Sequence, residues 1–430
     1  VPSWLHQITT PWTTPFTLVA LVIGIGALFG IRGRKLAVLA TAIASGVALW
    51  VAWKSGPPSG LLDLKIYTNA ARSWLDGRSL YVYHDEVFNL SATYPPIGPI
   101  AFSVLNSFSS EWREIIFTVI NLFALGGCAW FASGLAGIEH DHRVNWSLWA
   151  FTAATVTLPV WLTLRQGQIN ILLWLLILID IDGIRRSRRF AGFGIGLATA
   201  IKLVPGLFIV WLAATRRWSA TLRAIGMLAG ATTVGWLLAP TDSRLYWTDL
   251  LWQSDRVGRL DDARNNSVLG VLSRLMPEGS LRTLVWIVIL AFVLLAAYRR
   301  SVRASKAGDL LAAAAIVGCA SAVVSPISWP HHLGFLLLAL AVFVTITRST
   351  KGKVACVFGF LLLVDPGGHG DEVFSSTLRA VLIIGAVLFT PIVENRSLNA
   401  DTAEAQETTT PSNRSTNSRL PSSSLFRRMA

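Results

Sequence analysis

Charge is scarce in this chain. Asp, Glu, Lys and Arg make up 14% of its 430 residues, against about a quarter in an ordinary soluble domain. With 53% hydrophobic residues and a mean hydropathy of +0.54, that scarcity excludes a water-soluble globule. Strict two-residue alternation is missing as well, which excludes the ~10-residue spans of a membrane β-barrel. What remains is a series of apolar runs of membrane-spanning length, recurring from residue 15 to residue 393. The expected fold class is an all-α, polytopic integral-membrane bundle.

Cysteine is rare too. Cys128, Cys319 and Cys356 all lie inside apolar runs. An odd count without CxxC spacing excludes a disulfide framework and a cysteine zinc site, so they read as small core hydrophobes. No soluble nucleotide-binding unit is present. The run Gly192-Phe193-Gly194-Ile195-Gly196 lies in an apolar stretch without a surrounding βαβ unit, where glycines suit close helix packing. The outward loops hold no clear carboxylate cluster. Asp85 with Glu86, and Asp261 with Asp262, are adjacent pairs of the sort common in solvated loops. A cleavable leader is not evident. The run 13–31 has no basic region before it and is followed by Arg32, Arg34 and Lys35, so it reads as a retained span.

The net charge of +13 comes from short loops between apolar runs. That pattern follows the positive-inside rule and argues against a nucleic-acid partner. The basic loops are 32–35, 185–189, 216–217, 299–306 and 348–353, and all five are expected in the cytoplasm. Threading between them gives spans at 36–53, 113–135, 146–164, 168–183, 219–239, 281–298, 309–327, 332–347, 354–366 and 376–393. The stretch 190–214 contains Lys202 and Pro205 and reads as a short helix pair or a broken helix. The total is about 11 to 13 spans, with boundaries good to a few residues. The polar stretches 54–112, 240–280 and 325–332 then face outward, joined by a tight turn at 165–170. Residues 1–393 form one membrane domain, with 54–112 as its first extracytoplasmic loop. Residues 394–430, rich in Ser, Thr and Asn, read as a disordered cytoplasmic tail.

The outward segments hold polar residues that a membrane protein rarely keeps without use. Asp63 follows Leu61 and Leu62 at a helix start, where a partly desolvated carboxylate is suited to base chemistry and equally to capping. Tyr94-Pro95-Pro96 forces an extended entry into the short apolar run 97–105, which looks re-entrant or interfacial. Arg165, Gln166, Gln168 and Asn170 flank Gly167 and suit either a pocket for sugar hydroxyls or phosphate, or a hydrogen-bonded kink. Lys202 is flanked by apolar residues and needs a partner. A lipid phosphate, Asp180 or Asp182 would serve, or its ammonium snorkels to an interface. Arg264, Asn265, Asn266 and Ser267 fit hydroxyl binding or a turn and helix cap. In 325–332, one of His331 and His332 suits phosphate binding or help to a base, and Trp329 suits stacking on a sugar or an interfacial belt. Adjacent histidines on one turn point different ways, which argues against a two-histidine metal site.

In order, these motifs resemble glycosyltransferase family 87, a set of GT-C-fold membrane enzymes that use polyprenyl-phosphate sugars. The matching elements are Asp63-Leu64-Lys65-Ile66-Tyr67, Asp76-Gly77-Arg78 with Leu80-Tyr81, and Tyr94-Pro95-Pro96. Then come Gln166-Gly167-Gln168-Ile169-Asn170, the stretch 194–205, Asn266-Ser267-Val268-Leu269-Gly270, and 325–332. Each is weak alone, and their order across about 270 residues makes the likeness fairly specific. Within the family the chain looks most like actinobacterial polyprenyl-phosphate-mannose-dependent α-(1→2)-mannosyltransferases. That resemblance implies a mannosylated glycolipid acceptor, either a phosphatidylinositol mannoside or lipomannan and lipoarabinomannan. It implies Asp63 as general base, with His331 and His332 as further catalytic candidates. Lys202, Arg165 and Arg264 become candidates for the donor phosphate. Tyr67, Tyr94, Gln166, Gln168, Asn170, Asn266 and Trp329 become candidates for the sugars. No cofactor is expected, and metal independence is the expectation. An arabinofuranosyltransferase of the same family is the near alternative. A lipid or sugar transporter is the alternative from another class, and a non-catalytic scaffold has no need of Asp63 or Lys202.

Overall fold

The computed structural model describes residues 33–54, 61–253, 256–364, 372–394 and 396. It is all-helical, with no strand among the described residues. Two expectations, the span at 13–31 and nearly all of the tail from 394, lie outside the described residues.

Four described helices are long and apolar enough to cross a membrane: α4 (Ser110–Leu135), α10 (Trp218–Leu238), α13 (Ser280–Lys306) and α17 (Glu372–Phe389). The pair α5 (His140–Thr155) and α6 (Leu158–Gln166) makes a fifth candidate if counted as one span. Among the described residues the structure is the all-helical, polytopic membrane bundle expected from the sequence. Shorter or broken helices carry much of the apolar sequence. Among them are α7 (Asn170–Arg185), α14 (Leu310–Val324), α15 (Phe335–Ile346) and α16 (Thr350–Val364), while α1 (Arg34–Lys54) is a continuous helix of 21 residues. The span expected at 146–164 is bent by 71° between α5 and α6. Pro159 lies in the first turn of α6, where its missing N–H is tolerated and the helix starts afresh.

The stretch 190–214 is a helix pair, as the sequence suggests. It consists of α8 (Phe193–Ile201) and α9 (Gly206–Ala214). Lys202 ends α8 with extended backbone, and Pro205 opens α9. The glycine run lets α8 pack between α7 and α10. A Cβ on Gly194 would lie 2.6 Å from the Leu176 carbonyl oxygen, and one on Gly196 2.3 Å from that of Ala224. At the centre, α14 is buried on every side from Leu310 to Val323. An all-apolar helix finds its place there.

The two ends of the bundle differ. Contacts such as Arg223 Nε to the Ala191 carbonyl (2.7 Å), Trp211 Nε1 to Ser305 Oγ (3.1 Å) and Arg396 to Asp309 (3.1 Å) gather basic loops at one end. At the other end lie α2 (Leu62–Leu75), α3 (Ile97–Ala101) continuing into a 3-10 helix (Phe102–Ser107), α11 (Pro240–Thr248) and α12 (Val268–Leu275). The turn Pro330–His332 joins them, packed on α6. The amphipathic α2 buries Leu64, Ile66, Tyr67, Ala70 and Ala71, so one face docks on the bundle. That docking brings Asp63 inward.

Candidate active site

The cap reading of Asp63 is corrected. Leu61 is the N-cap of α2 and makes no side-chain cap bond, while Asp63 lies within the first turn. What holds its carboxylate is the side chain of Gln168. Gly167 makes that meeting feasible. Its φ of +66° is a left-handed conformation that favours glycine. A Cβ there would lie 2.6 Å from Leu64 Cβ and 2.8 Å from Leu61 Cβ, on the residues either side of Asp63. The turn thus presses directly on the start of α2. Burial raises the Asp63 pKa to about 6, while the Gln168 hydrogen bond and the Lys202 charge pull it back down. A carboxylate poised there still ionises at neutral pH and remains a stronger base than an exposed one.

From Gln168 the hydrogen bonds continue inward. Tyr94 Oη donates to Gln168 Oε1 at 2.7 Å, which leaves the Gln168 amide group facing Asp63. Lys202 Nζ lies 3.5 Å from Tyr94 Oη and 5.1 Å from the ring centroid. It donates to Asn170 Oδ1 at 2.9 Å and meets His332 Nε2 at 3.2 Å. Asn170 Nδ2 donates to the His331 carbonyl oxygen at 3.0 Å, tying α7 to the 330–332 turn. Asp63, Gln168, Tyr94, Lys202, Asn170 and His332 thus form one network. Four separate stretches of sequence reach it besides α2.

Lys202 does not use Asp180 or Asp182, the partners proposed from sequence. Asp180 accepts from the Ile195 N–H at 2.7 Å, and Asp182 binds Arg185 (2.9 Å) and Arg186 (3.1 Å). They lie ten and twelve residues along α7 from Asn170, about 15–18 Å toward the basic end. Lys202 is instead held by neutral groups. Its ammonium keeps its charge available to a further ligand.

The histidines are arranged edge to face, with centroids 4.6 Å apart. Burial, then the Lys202 charge, hold both well below the usual histidine range. The Trp329 N–H donates to His332 Nδ1 at 3.2 Å. A neutral ring accepts at one nitrogen only, either from the Trp329 N–H at Nδ1 or from the Lys202 ammonium at Nε2. An anionic oxygen beside Lys202 Nζ can accept from the ammonium. His331 is buried, and neither ring nitrogen has a hydrogen-bond partner. Arg165 Nε and Gln166 Oε1, at the end of the neighbouring α6, are buried without a partner as well.

Other candidates are placed differently. Tyr67 stacks on Tyr94 at 4.1 Å and bonds Thr93 Oγ1 at 3.0 Å, so it braces the pocket wall. Arg264 is paired with Asp262 at 3.1 Å and lies over Trp329 at 5.5 Å. Asn266 donates to the carbonyls of Ser328 and Arg264, both at 2.8 Å, and accepts from Arg379 Nε at 2.7 Å. Its side chain is committed to holding the loop. Ser267 caps α12 through the Gly270 N–H at 2.9 Å. Asp85 is not solvated, as its pairing with Glu86 suggested. It is buried, accepts from the N–H groups of Val87 and Phe88, and lies 3.8 Å from Lys65.

Sequence reasoning missed three supports. Arg379 is a buried arginine within α17, and a charge inside an apolar run was the signal. Arg256 donates to the Ala92 carbonyl at 2.8 Å and lies over Tyr81 at 5.6 Å. Asp242 accepts from Ser79 Oγ (2.5 Å) and the Leu80 N–H (3.1 Å). The last two bind segments about 160 residues away in sequence, and no local pattern marks them.

The fold and this network define a multi-pass membrane protein with a buried acid, a buried cation and buried polar atoms without a hydrogen-bond partner at one end. A family model for glycosyltransferase family 87 matches residues 92–326. A polyprenol-phosphate-mannose-dependent α-(1-2)-phosphatidylinositol mannoside mannosyltransferase of Mycobacterium tuberculosis is 33% identical over 328 residues, 72% of this chain and 77% of that protein. The protein of the same description from Mycolicibacterium smegmatis is 31% identical, over 68% of this chain and 72% of its own length. A polyprenol-phosphate-mannose-dependent α-(1-2)-phosphatidylinositol pentamannoside mannosyltransferase of M. smegmatis is 32% identical, over 67% and 70%. No solved structure matches the chain. The chain belongs to glycosyltransferase family 87 and is a glycosyltransferase.

Proposed function

We propose that this enzyme transfers mannose from polyprenyl-phosphate-mannose to a mannosylated glycolipid, a phosphatidylinositol mannoside or lipomannan, making an α-(1→2) linkage. The named relatives support the donor and the acceptor class. The observation that carries the chemistry is the separation of Asp63 from Lys202 by neutral groups, Gln168 and Tyr94, with no ion pair between them.

In this reading Asp63 takes the proton of an acceptor mannose hydroxyl as that oxygen attacks the donor's anomeric carbon. A bond forms between the acceptor oxygen and the anomeric carbon, and the bond from that carbon to the phosphate oxygen breaks. The electron pair leaves on polyprenyl phosphate. Lys202 receives the growing negative charge, with Arg165, His331 and His332 as further partners. A single displacement inverts a β-linked donor to an α product. In this reading the basic loops lie in the cytoplasm, and the site faces the extracytoplasmic side. No metal ion is assigned a role.

The test is a transfer assay with purified protein, polyprenyl-phosphate-mannose and a phosphatidylinositol mannoside acceptor. Wild type is expected to form an α-(1→2) product and Asp63→Asn to form almost none. Equal product from both overturns Asp63 as base. Product only from polyprenyl-phosphate-arabinose overturns mannose.

A further inference from the structure

The stretch leading into the 330–332 turn has no regular structure. Residues 325–329 form neither helix nor strand, so their backbone groups need partners elsewhere. The loop before α12 supplies them. Asn265 Oδ1 accepts from the Ser328 N–H at 3.0 Å, and Ser267 Oγ donates to the Pro326 carbonyl at 2.7 Å. The Ser328 carbonyl takes two bonds from Asn266, one from its N–H and one from Nδ2, both at 2.8 Å. Where this loop holds 326–328 therefore sets where the turn carrying His331 and His332 lies.

Asn266 can do this in one orientation only. Its amide carries an acceptor on one arm and a donor on the other. Arg379 Nε donates to Oδ1 at 2.7 Å, which turns Nδ2 toward the carbonyls of Ser328 and Arg264. Turned over, the amide would set oxygen against carbonyl oxygen and its NH2 group against the guanidinium. Asn266, Ser328 and Arg379 are all buried, where bulk water does not replace a lost partner. Arg379 is in turn set by α17. Ser376, one turn earlier on the same face, accepts from Arg274 Nη2 at 3.0 Å. Arg274 Nη1 donates to the carbonyls of Asp262 (2.8 Å) and Asn265 (3.1 Å). Arginine bonds thus cross between α17 and this loop in both directions.

We propose that Arg379 is a positioning residue for the donor's phosphate. It fixes the Asn266 amide, Asn266 fixes Ser328, and the turn that follows is held against Lys202. There His332 Nε2 meets the ammonium at 3.2 Å. The His331 carbonyl accepts from Asn170 Nδ2, which leaves Asn170 Oδ1 for the same ammonium. Moving the turn therefore disturbs two of the groups that hold Lys202 Nζ. The effect falls on the donor, because the acceptor hydroxyl meets Asp63, on the far side of Gln168 and Tyr94 from Lys202. The inference rests on the proposed role of Lys202 at the donor phosphate.

The transfer assay tests this, with KM measured separately for polyprenyl-phosphate-mannose and for the phosphatidylinositol mannoside. Arg379→Met should raise the donor KM about tenfold, the effect of one lost buried hydrogen bond, and leave the acceptor KM within about twofold. Asn266→Asp keeps an acceptor for Arg379 but loses the donor to Ser328, so it should raise the donor KM by about the same factor. The two changes together should be no worse than Asn266→Asp alone, because they act along one path. An unchanged donor KM in either single variant overturns the proposal, as do equal losses for donor and acceptor, or losses that add in the double variant. Asn266→Asp alone suffices if Arg379→Met does not fold. Amide hydrogen exchange reads the same tie without substrate. It should speed up over 326–332 in both single variants, and exchange there at the wild-type rate overturns the proposal. A Lys202→Met enzyme with the wild-type donor KM overturns the role of Lys202 and this inference with it, whereas a wild-type donor KM in Arg379→Met alone overturns only this inference.

Discussion

Buried charge is handled in opposite ways in the Asp63–Lys202 network and in the ion pairs at the basic end of this bundle. At the basic end, two acids meet arginines. Asp182 is held by Arg185 and Arg186, and the fully buried Asp309 lies 3.1 Å from Arg396 Nε. That last contact is a charge contact rather than an aligned hydrogen bond, because Arg396 Nε lacks a well-directed acceptor. Asp309 adds backbone partners, the N–H groups of Ala312 and Val393. At the site end, Asp63 leans on an amide, and Lys202 on an amide, an imidazole and a phenol. The first arrangement neutralises charge and ties helices together. The second keeps charge unneutralised, which is useful when the missing counter-charges belong to substrates.

Substitutions at each end should separate the two designs. The largest effect on turnover should come from Asp63→Asn, a fall of about 10²–10⁴-fold in the transfer assay. The same change should not lower the thermal midpoint. A carboxyl pKa raised from 3.8 to about 6 contributes stability fully below pH 3.8, and that contribution is lost as pH rises through 6. At neutral pH the ionised group therefore opposes folding, and a neutral amide should leave the midpoint unchanged or higher. Lys202→Met should come next, with a loss of about 10²–10³-fold in kcat/KM and a folded protein by circular dichroism.

Arg396→Met should show the reverse pattern. Leaving Asp309 buried and unpaired should lower stability by about 3–5 kcal/mol, read as a lower thermal midpoint, while turnover per folded molecule stays near wild type. If Arg396→Met instead abolished turnover in folded protein, the division between the two ends would fail. Gly167→Ala should have the smallest effect, about 1–3 kcal/mol of strain from a left-handed backbone and a crowded Cβ. It should also cut turnover, because Leu61 and Leu64 must move and carry Asp63 with them. A full-rate Gly167→Ala enzyme would show that Asp63 is not positioned through this turn.

Much of this was legible in the sequence because membrane physics makes polar residues conspicuous. Asp63, Gln168, Asn170, Lys202 and His332 stood out as groups that apolar surroundings must satisfy, and they do share one network. The glycine run at 192–196 announced close packing, and α8 uses it so. Partners were less legible. Lys202 called for a lipid phosphate or for Asp180 or Asp182 on the preceding apolar run, yet Asn170 at the near end of α7 reaches it first. Asn266 reads the same as a substrate ligand or a loop tie until Arg379 is seen opposite it. The 71° break between α5 and α6 was also hidden. Pro159 sits just inside the new helix, where hydropathy registers only a continuous run.

The pH dependence of kcat/KM for wild type and Gln168→Leu tests the central claim most directly. A base with a pKa near 6 predicts that wild-type activity falls as pH drops through about 6 and levels off above it. Gln168 pulls that pKa down, so Gln168→Leu should move the inflection to higher pH and lower the rate at pH 6 most of all. A wild-type profile flat between pH 5 and 7, or an inflection that stays in place without Gln168, would contradict Asp63 as the base held by that amide.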